Sequence, residues 1–519
     1  MEPVVATTHG QVRGQWRDGV ARFLGIPYAA SPTGPLRFRS PAPPQSWDGT
    51  READRFGATP PKPDYPPPFD RLLAEPSIDG DDWLTVNVWT PDPGRGGLPV
   101  MVWVHGGAFS NGSSAVPVYD GQAFARDGVV LVSLNYRLGV DGFALLPDAP
   151  ANRGLLDQIA ALEWVRDNIA AFGGNPGNVT VFGESAGAMS VTTLLAVPRA
   201  QGLFARAITQ SGAAQAAADP GDAALVTKEL GVTLGIEASA DSLGRVSLPG
   251  LIAAQAAVRD ALAAQPDPSR FGASIVASTM PFIPVIDGTL IPEHPLTAIA
   301  AGAGAGNPLL SGTNTDEYRL FLVPTGLGAL VTADSLPGVA AMLGISPAVI
   351  STYRAGRPDD TPGDLLAAML TDRFFRLPAL AVAQARTAGA TQGSQPSPTY
   401  LYEFGWRSPL GGLGACHALE IPFVFDTLET PGAALTLAAV RGEDPELIAE
   451  QGADPPPDAG AADLAGRMHA AWIAFARDGD PGWRALDDTY PVMTFDGPAS
   501  GVRADPRGEE RRAWGAPGR

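Results

Sequence analysis

The chain has 519 residues and a formal net charge of −19, from 55 acidic and 36 basic side chains. So acidic a surface repels phosphate backbones and anionic membranes, which argues against nucleic acid and lipid surfaces as partners. The single cysteine, Cys416, rules out an intrachain disulfide and fits a reducing compartment. No apolar run approaches the ~18 residues of a membrane span, and the opening MEPVVATTHGQVRG lacks the features of a signal peptide. The expectation is a cytoplasmic globular chain with no membrane anchor.

Residues 3–28 alternate apolar and polar around Gly10, Gly14 and Gly19, which predicts short antiparallel strands. Residues 41–80 are Pro-dense and read as an irregular surface loop. Strands are predicted over 83–89 and over 98–104, the latter a near-continuous apolar run of the doubly buried kind. His105-Gly106-Gly107-Ala108-Phe109 follows that run directly. Two glycines there let the backbone turn several N–H groups into one cavity, a nest suited to an oxyanion. A strand over 128–136 and an amphipathic helix over 155–172 come next.

Val179-Thr180-Val181-Phe182 then runs into Gly183-Glu184-Ser185-Ala186-Gly187. A serine on so sharp a strand-to-helix turn is held exposed, and small residues two before and two after it avoid collision across the turn. Ala186 opens the helix, and its free N–H points to where negative charge develops. A strand over 205–210 follows. Residues 213–275 are Ala-rich with helical spacing and read as a helical insertion. The Gly-rich stretch 298–308 has no strand before it, so it reads as a helix end and loop, not a phosphate loop. A short strand over 309–312 leads to Asp316 and Glu317. A second helical region covers roughly 330–390, a strand 399–404, an amphipathic helix 461–477, and a last strand 492–495 precedes a charged tail. Strand and helix in alternation predict an α/β fold with a mostly parallel sheet. No internal repeat or flexible linker divides the chain, so 1–519 reads as one domain.

A serine hydroxyl needs a base, and the base needs an orienting group. Of five histidines, His9 lies in the N-terminal hairpin region, His105 opens the proposed nest, His294 is in a Pro-flanked loop, and His469 falls beside core positions of a helix. His417, in a Gly-flanked loop after a late strand, is the candidate base. Asp316 and Glu317 are adjacent, and either could supply the acid. There is no His-Glu-x-x-His and histidines are few, so no metal and no cofactor are expected.

The sequence resembles the type-B carboxylesterase family of α/β-hydrolases, which also contains the cholinesterases. FLGIPYAASPTGPLRF, DDWLTVNVW, VMVWVHGGAF, SLNYRLGVDGF, FGGNPGNVTVFGESAG, FIPVIDG, GTNTDEY and CHALEIPFVF stand in the family's order across nearly the whole chain. The resemblance implies an α/β-hydrolase fold with Ser185 as nucleophile, Glu317 and not Asp316 as acid, and His417 as base. It also implies oxyanion donors at Gly107, Ala108 and Ala186, with alanine at 108 in place of a common glycine. Trp83 replaces a disulfide cysteine of the family, and residues 51–82 lack the tryptophan with which cholinesterases hold a quaternary ammonium. Phe109, Ala218, Ser278 and Met280 are the implied pocket residues, and the small groups after the QSG segment and before FIPVIDG predict a wide acyl pocket. The expected activity is hydrolysis of small to medium esters by a monomer. Lipase, amidase or polyester-fragment hydrolase on the same site, and a non-catalytic adhesion or scaffold protein of the same fold, are the alternatives.

Overall fold

The computed structural model describes residues 1–388, 396–430 and 460–515. In chain order its strands are β1 (Val4–Thr7), β2 (Gly10–Arg13), β3 (Gln15–Arg17), β4 (Val20–Pro27), β5 (Thr50–Glu52), β6 (Thr85–Thr90), β7 (Leu98–Val104), β8 (Val130–Leu134), β9 (Gly174–Glu184), β10 (Arg206–Gln210), β11 (Leu309–Asn314), β12 (Thr399–Phe404), β13 (Pro491–Phe495) and β14 (Gly501–Ala504). β1, β2 and β5 form a small sheet. The other 11 form one sheet in the order β14-β13-β12-β11-β10-β9-β7-β8-β6-β4-β3. Pairing is parallel from β8 through β13 and antiparallel at both edges. This is the α/β-hydrolase architecture.

Strand β7 explains how the sheet sits between two layers. It reads LPVMVWV, and six of its seven residues are buried. Successive side chains point to opposite faces. Val100, Val102 and Val104 pack with Leu155, Ile159 and Leu162 of the helix Arg153–Asn168. Met101 and Trp103 pack with Met468, Trp472 and Phe475 of the helix Gly460–Asp478. A strand apolar on both faces therefore holds a core on each side, as central parallel strands do.

The two expected insertions are helical. The first contains the helices Pro220–Leu234 and Leu248–Ala264, with shorter pieces up to Ser278. The second contains Pro347–Gly356, Pro362–Thr371 and Leu377–Ala388, with one π-helical turn, Asp372–Arg376, between the last two. Residues 389–390 of that region and 516–519 of the tail lie outside the described residues.

Two expectations need correction. The helix over 155–172 ends at Asn168 and tightens into a 3₁₀ turn, Ile169–Phe172. The strand over 491–495 is not the last, because β14 and a short helix, Gly508–Ala513, follow it. Charge drew that stretch as a tail in the sequence, but its charges are paired within the fold. Arg511 and Arg512 meet Asp505, and Glu510 meets Arg357. Among the described residues, no helix is long and apolar enough to cross a membrane.

Candidate active site

β9 runs straight into the helix Ala186–Ala196, and Ser185 stands between them with φ 55° and ψ −124°. Such backbone costs of order 1–3 kcal/mol and persists only where the surroundings enforce it. They do so here. Ser185 N–H donates to Gln210 O at 2.9 Å, and Ser185 O accepts from Met189 N–H at 2.9 Å. A Cβ on Gly183 would lie 2.6 Å from Val104 O, and one on Gly187 only 2.0 Å from it. The elbow is thus pressed against the end of β7, and only glycine fits at both positions.

The turn after β7 folds back on itself beside the elbow. Gly107 O accepts from Ser110 N–H and Asn111 N–H at 2.9 and 2.8 Å. Ala108 and Phe109 both have positive φ, at 53° and 57°. The N–H groups of Gly107, Ala108 and Ala186 donate to no other described residue. A Cβ on Gly106 would lie 3.1 Å from Ser185 Cβ, so the turn and the elbow touch through a glycine.

His417 lies in the loop after β12. Its Nδ1 is 2.7 Å from Glu317 Oε2, and both side chains are buried. Glu317 is fixed in turn, its Oε1 accepting from Asn314 N–H at 2.8 Å. Asp316, the alternative acid, turns elsewhere. It accepts from Ala415 N–H at 3.0 Å and pairs with Arg319 at 3.5 Å. Phe375 and Phe321 hold the imidazole ring from two sides, with ring centres 4.7 and 5.5 Å away.

The other imidazole nitrogen meets a group that the sequence reading gave no role. His417 Nε2 is 3.1 Å from Glu184 Oε1, the carboxylate next to Ser185 in the chain. Glu420 completes a buried acidic ring, accepting from Gln210 Nε2 at 3.0 Å and Asn314 Nδ2 at 2.8 Å. Burial alone would lower the imidazole pKa, but the carboxylates of Glu184, Glu317 and Glu420 outweigh it and push His417 up to about 9. Burial, reinforced by Glu420 and Glu317, raises Glu184 to about 8. Glu184 and Glu420 stood inside the quoted GESAG and CHALEIPFVF blocks, but nothing in their spacing announced a meeting at one ring.

The four remaining histidines are otherwise placed, His9 lying half-buried with its Nδ1 3.4 Å from Ser46 Oγ. Burial depresses His105 to about 3, and its ring stacks on Tyr136 with centres 4.5 Å apart. His294 Nδ1 caps a helix at Leu296 N–H, and His469 Nδ1 is bound to Val424 O. Among the described residues, no group of three or more His, Cys, Asp or Glu side chains is arranged to hold a metal ion.

A cavity of about 170 Å³ opens over Ser185 and takes in Gly107, Ala108 and His417. Its walls are apolar, formed by Leu72–Ala74, Val116, Val118, Leu320, Phe321, Ile421 and Pro422, with Tyr65 and Tyr119. The four residues expected to shape the pocket do not line it. Phe109 is fully buried with its ring against Phe143 at 4.9 Å. Ala218 pairs with Val285 in a short bridge, Ser278 donates to Ile275 O at 2.9 Å, and Met280 packs half-buried against the core. The loop read as irregular surface supplies Tyr65 and Leu72–Ala74 instead. Its apolar residues follow no helical or strand period, which hid them.

Comparison with known proteins places the chain in a family. The model of the carboxylesterase family matches residues 1–500. The chain is 36% identical over 528 residues to a para-nitrobenzyl esterase of Bacillus subtilis, covering 98% of each chain. It is 34% identical to a phenmedipham hydrolase of Pseudarthrobacter oxydans, over 99% of this chain and 98% of that one. A solved Geobacillus stearothermophilus carboxylesterase superposes with a TM-score of 0.81 at 36% identity, over 98% of this chain and 99% of that chain.

Proposed function

The chain belongs to the carboxylesterase family and is a carboxylic-ester hydrolase, and on that footing we propose that it works through Ser185, His417 and Glu317 by way of an acyl-enzyme. The observation that carries this reading is the 2.7 Å contact of His417 Nδ1 with Glu317 Oε2, in the cavity that Ser185 faces. Glu317 fixes the tautomer, so that Nε2, once it turns from Glu184 to Ser185, is the nitrogen that takes the Ser185 proton. Ser185 Oγ attacks the ester carbonyl, and the tetrahedral oxyanion forms beside the N–H groups of Gly107, Ala108 and Ala186. The alcohol leaves with the proton from His417. Water then attacks the acyl carbon as His417 takes its proton, and the Ser185 Oγ–acyl bond breaks as His417 returns that proton to Oγ, releasing the acid. Loss of one oxyanion donor typically costs ~10²–10³ in rate.

In this resting geometry Nε2 faces Glu184, and no hydrogen bond joins it to Ser185 Oγ. Such bonds often tighten only once substrate is bound. The apolar cavity favours uncharged small to medium esters over charged ones, whose desolvation it would not repay. A para-nitrobenzyl ester, the substrate in the name of the Bacillus subtilis relative, fits that class. The buried, free Cys416 is compatible with a cytoplasmic setting.

The test is a panel of nitrophenyl esters from acetyl to long acyl, run with wild type and Ser185→Ala. The variant should lose at least ~10⁴-fold in kcat, the scale at which a missing triad member leaves only binding and the oxyanion hole. Undiminished turnover by the variant would refute the mechanism. A jump in rate at an oil–water interface would favour a lipase instead.

A further inference from the structure

The loop that walls the cavity is closed by a buried ion pair. Lys62 Nζ is 2.7 Å from Glu75 Oε1, and the two side chains are 5% and 9% exposed. Lys62 also donates to Pro76 O at 2.9 Å, so the pair draws residues 62 and 76 together. The chain between them carries Tyr65 and Leu72–Ala74 to the cavity over Ser185.

The same pair grips the far end of the turn after β7. Gly112 N–H donates to both Glu75 oxygens, at 3.3 and 3.1 Å. Gly112 O accepts from Lys62 Nζ at 3.3 Å. Both polar groups of residue 112 are thus held by one ion pair. Next to it, Asn111 Nδ2 donates to Pro63 O at 2.6 Å. Residue 112 cannot shift without moving the turn, because a Cβ there would lie 2.4 Å from Gly106 O and 2.6 Å from His105 Nδ1. Asn111 N–H, one residue earlier, donates to Gly107 O. A continuous path therefore runs from the ion pair through residues 112 and 111 to the peptide of Gly107.

We propose that Lys62 and Glu75 are positioning residues for the oxyanion turn, and that their ion pair couples closure of the 62–76 loop to the aim of the Gly107 and Ala108 N–H groups. This rests on the assignment of those N–H groups as oxyanion donors. A buried pair is weak evidence of stability, because burying two charges costs about what their attraction returns. Its worth is in fixing one geometry, and the strained positive-φ backbone at Ala108 and Phe109 needs such fixing.

The experiment compares Glu75→Ala, Glu75→Gln and the double variant Lys62→Met/Glu75→Gln with wild type on p-nitrophenyl acetate. Rates are normalised to active sites by the burst of nitrophenol, which removes any unfolded fraction. Glu75→Ala should lower kcat at least tenfold with KM within threefold, and weaken binding of a trifluoromethyl ketone, which presents an oxyanion to the hole, by a similar factor. Glu75→Gln keeps an acceptor for Gly112 N–H and should recover most of the loss. The double variant buries no unpaired charge and should fold even where Glu75→Ala does not; because it has lost the ion pair, its kcat per active site should fall at least about threefold below wild type. A kcat per active site within twofold of wild type in Glu75→Ala, or in the double variant where Glu75→Ala does not fold, overturns the proposal. Ser185→Ala run beside them separates the two readings: if it is inactive while Glu75 variants are normal, only the positioning role fails.

Discussion

At the scale of single residues, the site is governed by which carboxylate meets which nitrogen of His417. Glu317 holds Nδ1 and Glu184 faces Nε2. As the proposed base, His417 must be neutral to act, and its pKa is raised to about 9. Activity therefore falls as pH drops through a limb that lies above the ordinary imidazole range of ~6.5. Glu184→Gln removes the carboxylate that raises His417 most, so the acid limb of kcat/KM should move to lower pH, read from a pH–rate profile. Glu317→Gln should cut kcat by ~10³–10⁴, whereas Asp316→Asn should stay within a few-fold, because Asp316 binds Ala415 and Arg319 instead. Ser185 and His417 were legible in the sequence as candidates, one from its glycines and the other by elimination among few histidines. Choosing between two adjacent acids took the family resemblance. Glu184 was not legible as a partner of His417, since that contact joins residues 233 positions apart in sequence.

At the scale of elements, the placing of Ser185 depends on how tightly β9 and its helix press on the end of β7. Gly187→Ala places a Cβ about where Val104 O already stands, 2.0 Å away. The elbow must open or the helix must withdraw. The expected result is loss of most activity together with a lower melting temperature, seen by parallel assay and thermal denaturation. Strands such as Leu98–Val104 and Thr399–Phe404 were readable almost to the residue, because a strand buried on both faces is rich in apolar and aromatic residues along its whole length. The 62–76 loop was not. Its apolar residues serve a cavity and its two charges serve each other, and neither use leaves a period in the sequence.

At the scale of the whole molecule, one sheet runs from Gln15 to Ala504 and carries a core on each face. This supports the proposal of a single domain with helical insertions. The turn after β8 is tied to the helix Arg153–Asn168 by Arg137 and Asp157, 2.7 Å apart and 1% and 0% exposed. Asp157→Ala strands a buried guanidinium and should cost about 3–5 kcal/mol of stability, measured by denaturant unfolding, with kcat per active site unchanged at 25 °C because neither residue lines the cavity. The central claim is that one serine, held by one elbow, carries the acyl group. A fluorophosphonate that mimics the tetrahedral intermediate tests it directly when followed by peptide mass analysis. One adduct per chain is expected, on Ser185, formed in step with loss of activity. Complete inactivation with Ser185 unmodified would contradict it.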